Sequence, residues 1–205
     1  MAIWQNKITE TIKHWRQLIV FLRSPDDFLH LHLQPSRIFL REIYTYFIPP
    51  LAIRPITVFL RSLILDAPTT AIILAISSFI LQAGVWLILG AILPTMVHQF
   101  QTQIREREAL LITGFASLPL WLSGALFLVP DTAPLSLFFV SRLFVFILAL
   151  YGAFIAYRAF TVLGVKREAC APILAVFSAA YAVLYFILFV VIGITSHIIL
   201  FIFTA

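Results

Sequence analysis

Long apolar runs separated by short charged segments dominate the chain. The runs extend over 43–65, 69–97, 109–129, 134–157 and 171 to about 200. A helix that crosses about 30 Å of hydrocarbon needs roughly 20 apolar residues, whereas the strands of a membrane barrel are about half as long and alternate apolar with polar positions. The runs have the helical length and show no sustained alternation. The pattern therefore predicts an all-α polytopic membrane protein, a bundle of five transmembrane helices.

The residues before the first run follow a different pattern. Apolar side chains recur there at helical spacing, and basic residues lie between them: Ile8, Ile12, Trp15, Ile19 and Leu22, with Lys7, Lys13 and Arg23. Such a helix buries its apolar face in the membrane surface while its basic residues face anionic headgroups. We expect an amphipathic cytoplasmic helix, which divides the chain into an interfacial N-terminal region, 1–35, and a transmembrane domain, 36–205.

The segment SPDDF at 24–28 has the residues that begin a helix. Ser24 suits the N-cap and Pro25 the first helical position. Asp26 and Asp27 then fall in the first turn, where the helix dipole favours negative charge. We interpret the two acidic residues as part of this helix start.

Lysine and arginine are distributed unevenly between the two sides of the predicted bundle. One side has Lys7, Lys13, Arg16, Arg23, Arg37, Arg41, Arg105, Arg107, Arg158, Lys166 and Arg167, and the opposite side has Arg61. Short loops rich in these residues stay in the cytoplasm. We therefore expect a cytoplasmic N-terminus, a periplasmic C-terminus and a location in the inner membrane.

The composition supports a membrane protein and excludes other classes. Hydrophobic residues make up 62% of the chain and charged residues 11%, with a mean hydropathy of +1.04, well outside the range of soluble domains. The net charge of +5 comes from basic clusters between apolar runs, and no nucleic-acid-binding motif accompanies them, so we expect no nucleic-acid partner. Cys170 is the single cysteine, so an intrachain disulfide is excluded.

Signatures of enzymatic chemistry are missing from the sequence. It contains no GxxxxGK, GxGxxG, HExxH or GxSxG motif, which are typical of phosphate, dinucleotide, zinc and hydrolase sites. His30 and His32 lie two residues apart, so on a helix their side chains point away from each other. We expect no catalytic residues, no cofactor and no metal, and we predict that the protein is not an enzyme.

Small residues cluster in three of the predicted helices and indicate close helix packing. They are Gly84, Gly90 and Ala91 in the second run, Gly114, Ser117, Ser123 and Gly124 in the third, and Ala149, Gly152 and Ala156 in the fourth. In membranes, such residues let helix backbones approach each other. They predict a compact bundle.

Prolines and an arginine interrupt the first run, in YFIPPLAIRPITVFL at 46–60. Pro50 and Pro55 each remove an amide donor and free the carbonyl four residues earlier. Arg54 carries five donors and can satisfy several carbonyls at once. We expect a helix that is bent or unwound near 49–55, with Arg54 bonded to the freed carbonyls.

Arg54, together with Gln82 and Arg142 in later runs, forms a candidate intramembrane polar site. No acidic residue lies deep in any run to neutralise the arginines, and a charge within a membrane is by default a functional hypothesis. Three explanations stay open: the arginines reach the outer headgroups, they bind carbonyls and water, or they hold an anionic ligand such as a lipid headgroup.

Several segments resemble the Yip1 domain family, in particular its small bacterial inner-membrane members. They are LITGFASLPLWLSGALFLVP at 111–130, YGAFIAYRAFTVLGV at 151–165, SPDDFL, and YTYFIPPLAIRPITVFL, and the resemblance covers about residues 20 to 195. It implies five transmembrane helices with a cytoplasmic N-terminus, and partner proteins such as the small GTPases that eukaryotic members engage. The chain departs from the family at Arg54 and Arg61 and in a longer tail after Gly193.

We therefore expect a non-enzymatic scaffold or adaptor in membrane organisation or trafficking-like processes. Its partners would be the lipid bilayer and a membrane or cytoplasmic protein that binds the N-terminal region. The alternative is a small transporter or channel-like protein with a polar intramembrane route, or an anionic lipid site, near Arg54, Gln82 and Arg142.

Overall fold

The described part of the chain is helical throughout. The computed structural model describes residues 16–33, 43–65, 68–129 and 134–204, and no strand occurs among them. A π-helical turn at Ile43–Phe47 leads into α3, and a 3₁₀ turn at Ser123–Leu128 extends α5. The helices are α1 (16–23), α2 (Pro25–Leu33), α3 (Ile48–Leu65), α4 (Pro68–His98), α5 (Glu106–Leu122), α6 (Leu135–Val162) and α7 (Arg167–Thr204).

Five of these segments are long and apolar enough to cross a membrane, which confirms the five predicted runs. They are Thr45–Ile64, Pro68–His98, Glu106–Leu128, Leu137–Val162 and Arg167–Ile202. The fourth continues past the predicted end at residue 157 and stops where Gly164 adopts a φ of 78°. Glycine adopts this left-handed conformation without a steric penalty, which suits it to end a helix. The chain is therefore a multi-pass membrane protein by the length and composition of its helices.

Helices α4 and α5 form the centre of the bundle. α4 contacts α3, α5 and α7, and α5 contacts α3, α4 and α6. In the most apolar window of α5, 67% of the residues are buried, compared with 6% in α7. α7 therefore presents most of its apolar surface outward, as a helix in contact with lipid does.

Glycines bring the helices together at several crossings, as the small residues predicted. A Cβ placed on Gly90 would lie 2.6 Å from the Leu110 side chain, and one on Gly124 would lie 2.6 Å from the Cβ of Arg54. A Cβ on Gly152 would overlap the carbonyl oxygen of Ala116. These distances are shorter than carbon contacts allow. At Gly124 and Gly152 the opposing atoms are in or next to a backbone and cannot turn aside, so these two crossings require glycine, whereas at Gly90 the end of the Leu110 side chain can move.

The unwinding predicted near 49–55 is wrong. α3 is continuous from Ile48 to Leu65, with Pro55 inside it, and directly follows the π-helical turn at Ile43–Phe47. Pro49 and Pro50 cannot donate to the carbonyls of that turn, and its wider hydrogen-bond spacing lies next to the missing donors. The prolines therefore leave the segment helical.

The described part of the N-terminal region packs against one end of the bundle. Phe21 and Leu29 are fully buried, and the Phe21 ring lies 4.9 Å from that of Phe28 and 5.2 Å from that of Phe115. Ile19, by contrast, is 65% exposed. Of the two described members of the predicted apolar stripe, Ile19 therefore faces away from the protein, whereas Leu22 packs against the core. Ile8, Ile12 and Trp15 lie outside the described residues, as does the predicted boundary at 35 and 36.

An ion pair and two hydrogen bonds hold α1 and α2 in this position. α2 begins at Pro25 as predicted, but Asp26 also accepts two hydrogen bonds from the Arg158 guanidinium on α6. Tyr151 donates to the carbonyl of Leu22, and Tyr46 donates to Gln17 at 2.9 Å. A bidentate ion pair of this kind fixes the relative orientation of the two side chains and also stabilises the contact between α2 and α6.

Candidate functional site

A cavity of about 770 Å³ lies between α5, α6 and α7, with one side chain each from α3 and α4. Most of its wall is apolar and includes five phenylalanines, Phe127, Phe146, Phe177, Phe186 and Phe189. Its polar side chains are Arg54, Gln82, Ser123, Ser178, Tyr181 and Tyr185. A large apolar space with a few convergent polar groups has the character of a ligand site.

The cavity opens sideways, between α6 and α7. Phe146 and Leu150 on α6 and Phe186 and Phe189 on α7 line it, yet each is more than half exposed on the outer surface of the bundle. The two helices also contact each other less than α6 contacts α5 or α7 contacts α4. The gap between α6 and α7 thus connects the cavity with the surface that faces hydrocarbon in a membrane.

The crossing of α3 and the 3₁₀ turn positions Arg54. Gly124 allows the turn to approach the backbone of Arg54, and the Thr57 hydroxyl lies 2.8 Å from the Arg54 carbonyl and 2.9 Å from the Gly124 carbonyl. Thr57 is 6% exposed, so this polar contact is shielded. The packing of the two backbones therefore fixes the position of the Arg54 Cα and Cβ atoms.

The Arg54 guanidinium reaches across the bundle to α7 and the 3₁₀ turn. Its Nη1 donates to the Tyr185 hydroxyl at 2.6 Å, and its Cζ lies 4.3 Å from the centre of the Phe127 ring. Its Nε is buried and has no hydrogen-bond partner among the described residues. The expectation that Arg54 bonds freed backbone carbonyls is thus wrong, because its one hydrogen-bond acceptor here is a phenol.

Gln82 lies in the same cavity as Arg54, as the sequence predicted. Its side chain is 5% exposed, and its amide nitrogen donates to the carbonyl of Ser78 in the preceding turn at 3.2 Å. The Ser78 hydroxyl is itself buried and without a partner among the described residues. Gln82 therefore adds a fixed neutral dipole to the cavity wall.

Arg142 lies outside the cavity lining, although it is close to Arg54. Its Cζ is 5.3 Å from the centre of the Phe127 ring and 4.8 Å from that of Phe138. The two arginines therefore share the Phe127 ring, each attracted by the electrons of an aromatic face. Arg142 is exposed and lies near the start of α6, a position from which a long side chain can extend to the membrane surface.

Three polar residues of α7 complete the site, and the sequence interpretation missed them. Ser178, Tyr181 and Tyr185 recur at helical spacing in an otherwise apolar helix and all line the cavity. The Tyr181 hydroxyl lies within hydrogen-bonding range of Ser117 on α5. Their three-and-four spacing was a detectable signal, because residues so spaced share one helix face.

No acidic side chain among the described residues that line the cavity neutralises the charge of Arg54. Arg54 is the one charged side chain among these described residues. No three His, Cys, Asp or Glu side chains in the described ranges lie close enough together to hold a metal ion. Cys170 is buried near the start of α7, away from the cavity lining. The site therefore presents one positive charge in an apolar space.

Comparisons of the chain with family models, with curated proteins and with solved structures found no match.

Proposed function

We propose that the chain is a non-enzymatic, multi-pass inner-membrane protein that binds a lipid-like amphiphile in the cavity between α5, α6 and α7. One observation carries the proposal: the cavity is mostly apolar, opens towards the hydrocarbon side and has a single, partly buried cationic group, Arg54, among the described residues that line it. An amphiphile matches all three properties, because its chain suits the apolar wall and its headgroup suits the cation.

The environment of the Arg54 guanidinium supports this proposal. Phe127, whose ring it contacts, is in the last turn of the third spanning segment, and Arg142 on the same ring is near the start of the fourth, so the guanidinium lies towards the end of the bundle where these two segments meet. A lipid headgroup at that end of the bundle can reach it. Removing a charge from water costs several kcal/mol unless a partner compensates for it. Tyr185 and the Phe127 ring provide only partial compensation, and an anionic ligand would provide the rest.

Orientation, membrane and family are further parts of the proposal. A cytoplasmic N-terminus and a periplasmic C-terminus follow from the basic residues that flank the helices. Membership of the Yip1 domain family rests on the sequence segments that resemble it. The adaptor function expected from the N-terminal region has less structural support than lipid binding, because its described residues 16–33 pack against the bundle through Phe21, Phe28 and Leu29.

Filling the cavity tests the proposed function. Ala182 lines the cavity on α7, whereas Ala179, one turn earlier, is equally exposed but does not line it. We expect Ala182→Phe to reduce the copies of lipid retained per protein in native mass spectrometry after gentle extraction, because the ring occupies the chain's space. Ala179→Phe should retain the wild-type number. Equal lipid retention in both variants and the wild type would refute the proposal.

A further inference from the structure

We infer that the cavity selects a lipid whose headgroup is an oxyanion with a single negative charge and that this headgroup binds Arg54. The inference rests on the proposed function, since it specifies the amphiphile. A phosphodiester and a carboxylate both have the required chemistry.

The geometry of the guanidinium supports an oxyanion. Nη1 donates one proton to Tyr185, and Nε is buried without a partner among the described residues, so the terminal nitrogens are the donors that a ligand in the cavity can reach. The terminal edge of an arginine donates two parallel N–H bonds, and this fork matches the spacing of two oxygens on a carboxylate or phosphate. A phosphocholine headgroup has the same phosphodiester, but its choline cation offsets the negative charge and would have to enter the same poorly solvated space.

The Tyr185 hydroxyl beside Arg54 provides a further donor. It accepts the bond from Nη1, so its own proton remains available to an anion. Ser178 also lines the cavity, but it lies two turns earlier on α7, about 10 Å along the helix axis. The headgroup therefore has the guanidinium and one neutral hydroxyl donor close together.

The number of charged side chains in the cavity lining favours a headgroup with one negative charge. Arg54 is the one charged side chain among the described residues of the cavity lining. Arg142 also contacts the Phe127 ring, but it is exposed and outside the lining, so its charge is screened by the surroundings and compensates an anion in the cavity less. A headgroup with two negative charges would leave one of them uncompensated in a poorly solvated space, where such a charge is costly. Phosphodiester lipids such as phosphatidylglycerol fit this limit better than the phosphomonoester phosphatidic acid.

The direction of the cavity opening indicates that the ligand enters from the bilayer rather than from the aqueous phase. The exposed rings of Phe146, Phe186 and Phe189 line the gap between α6 and α7. A small free anion would have to pass this apolar gap without a hydration shell, which is unfavourable. A lipid enters with its chain in contact with the same rings.

The test compares lipids bound by the full chain in nanodiscs of equimolar phosphatidylcholine and phosphatidylglycerol. We expect the tightly bound lipid to be enriched in phosphatidylglycerol, and Arg54→Gln to reduce this enrichment about tenfold, as the loss of a charge-assisted hydrogen bond implies. Arg54→Lys should keep part of the enrichment, because it keeps the charge. Arg61→Gln, on the same helix but outside the cavity lining, should behave as the wild type.

Each of the other possible results would overturn a specific part of the proposal. Wild-type enrichment in Arg54→Gln would overturn the inference while lipid binding in the cavity stands. In matched nanodiscs that contain phosphatidic acid and phosphatidylglycerol in equal amounts, a preference for phosphatidic acid would overturn the charge limit. Thermal stabilisation by inorganic phosphate alone, present in the wild type and absent in Arg54→Gln, would show a free anion and overturn the lipid assignment. Bound lipid that is insensitive to Ala182→Phe would refute the proposed function instead.

Discussion

Replacing Gly152 by leucine is expected to prevent stable packing of α6 on α5. Any Cβ at this position would overlap the carbonyl oxygen of Ala116, which belongs to the backbone of the most buried spanning helix. A backbone atom cannot rotate away as a side chain can, so the helices must separate. Overpacking of this kind costs roughly 3 kcal/mol, and we expect a clearly lower midpoint of thermal unfolding in mild detergent.

Gly193 provides the matched control for this substitution. It lies in a spanning helix, α7, and a Cβ placed on it meets nothing within 4 Å among the described residues. Gly193→Leu should therefore unfold at nearly the wild-type temperature. Similar midpoints for Gly152→Leu and Gly193→Leu would mean that α5 and α6 are farther apart than described here.

Truncating Phe115 to alanine is expected to release α1 and α2 from the bundle. The Phe115 ring lies 5.2 Å from that of Phe21, 5.4 Å from that of Phe28 and 4.9 Å from that of Phe47. It therefore joins both N-terminal helices to the spanning helices. Phe→Ala substitutions in cores cost about 3–5 kcal/mol, and here we expect much of this loss to appear as local opening.

Limited proteolysis with trypsin measures this opening. Arg23 is at the exposed end of α1, and cleavage after it requires the helix to unfold. We expect faster cleavage there in Phe115→Ala, and wild-type cleavage in Phe144→Ala, whose ring is 53% exposed on α6. If both variants were cleaved at the wild-type rate, the aromatic contacts would not be what holds the N-terminal region.

The number and limits of the spanning helices could be predicted from the sequence for a simple reason. The length of an apolar run and the charges at its ends depend only on local residues, and the bilayer thickness fixes the length required. The close crossings at Gly90, Gly114, Gly124 and Gly152 were also predictable, because glycine is the residue that permits them.

Contacts between distant helices could not be predicted in the same way. The Arg54–Tyr185 bond joins residues 131 positions apart, and the Asp26–Arg158 pair joins residues 132 positions apart. A helix that is apolar on every face gives no indication of which face meets protein. Arg54 and Gln82 were therefore recognised as polar residues within spans, but the cavity that joins them, and its α7 residues, were not.

The prolines of the first run show a different limit. Each proline removes one amide donor, but the chain stays helical where the hydrogen-bond spacing changes locally, as it does in the π-helical turn at Ile43–Phe47 just before Pro49 and Pro50. Nothing in the sequence indicated this local change. The predicted unwinding, and the contacts assigned to Arg54 at it, therefore failed together.

A density map of the protein in nanodiscs of phosphatidylcholine and phosphatidylglycerol tests the central claim most directly. The account predicts a lipid chain in the gap between α6 and α7 and a headgroup oxygen about 3 Å from a terminal nitrogen of the Arg54 guanidinium, the distance of a charge-assisted hydrogen bond. An empty cavity, with ordered headgroups only beyond the ends of the helices, would contradict it.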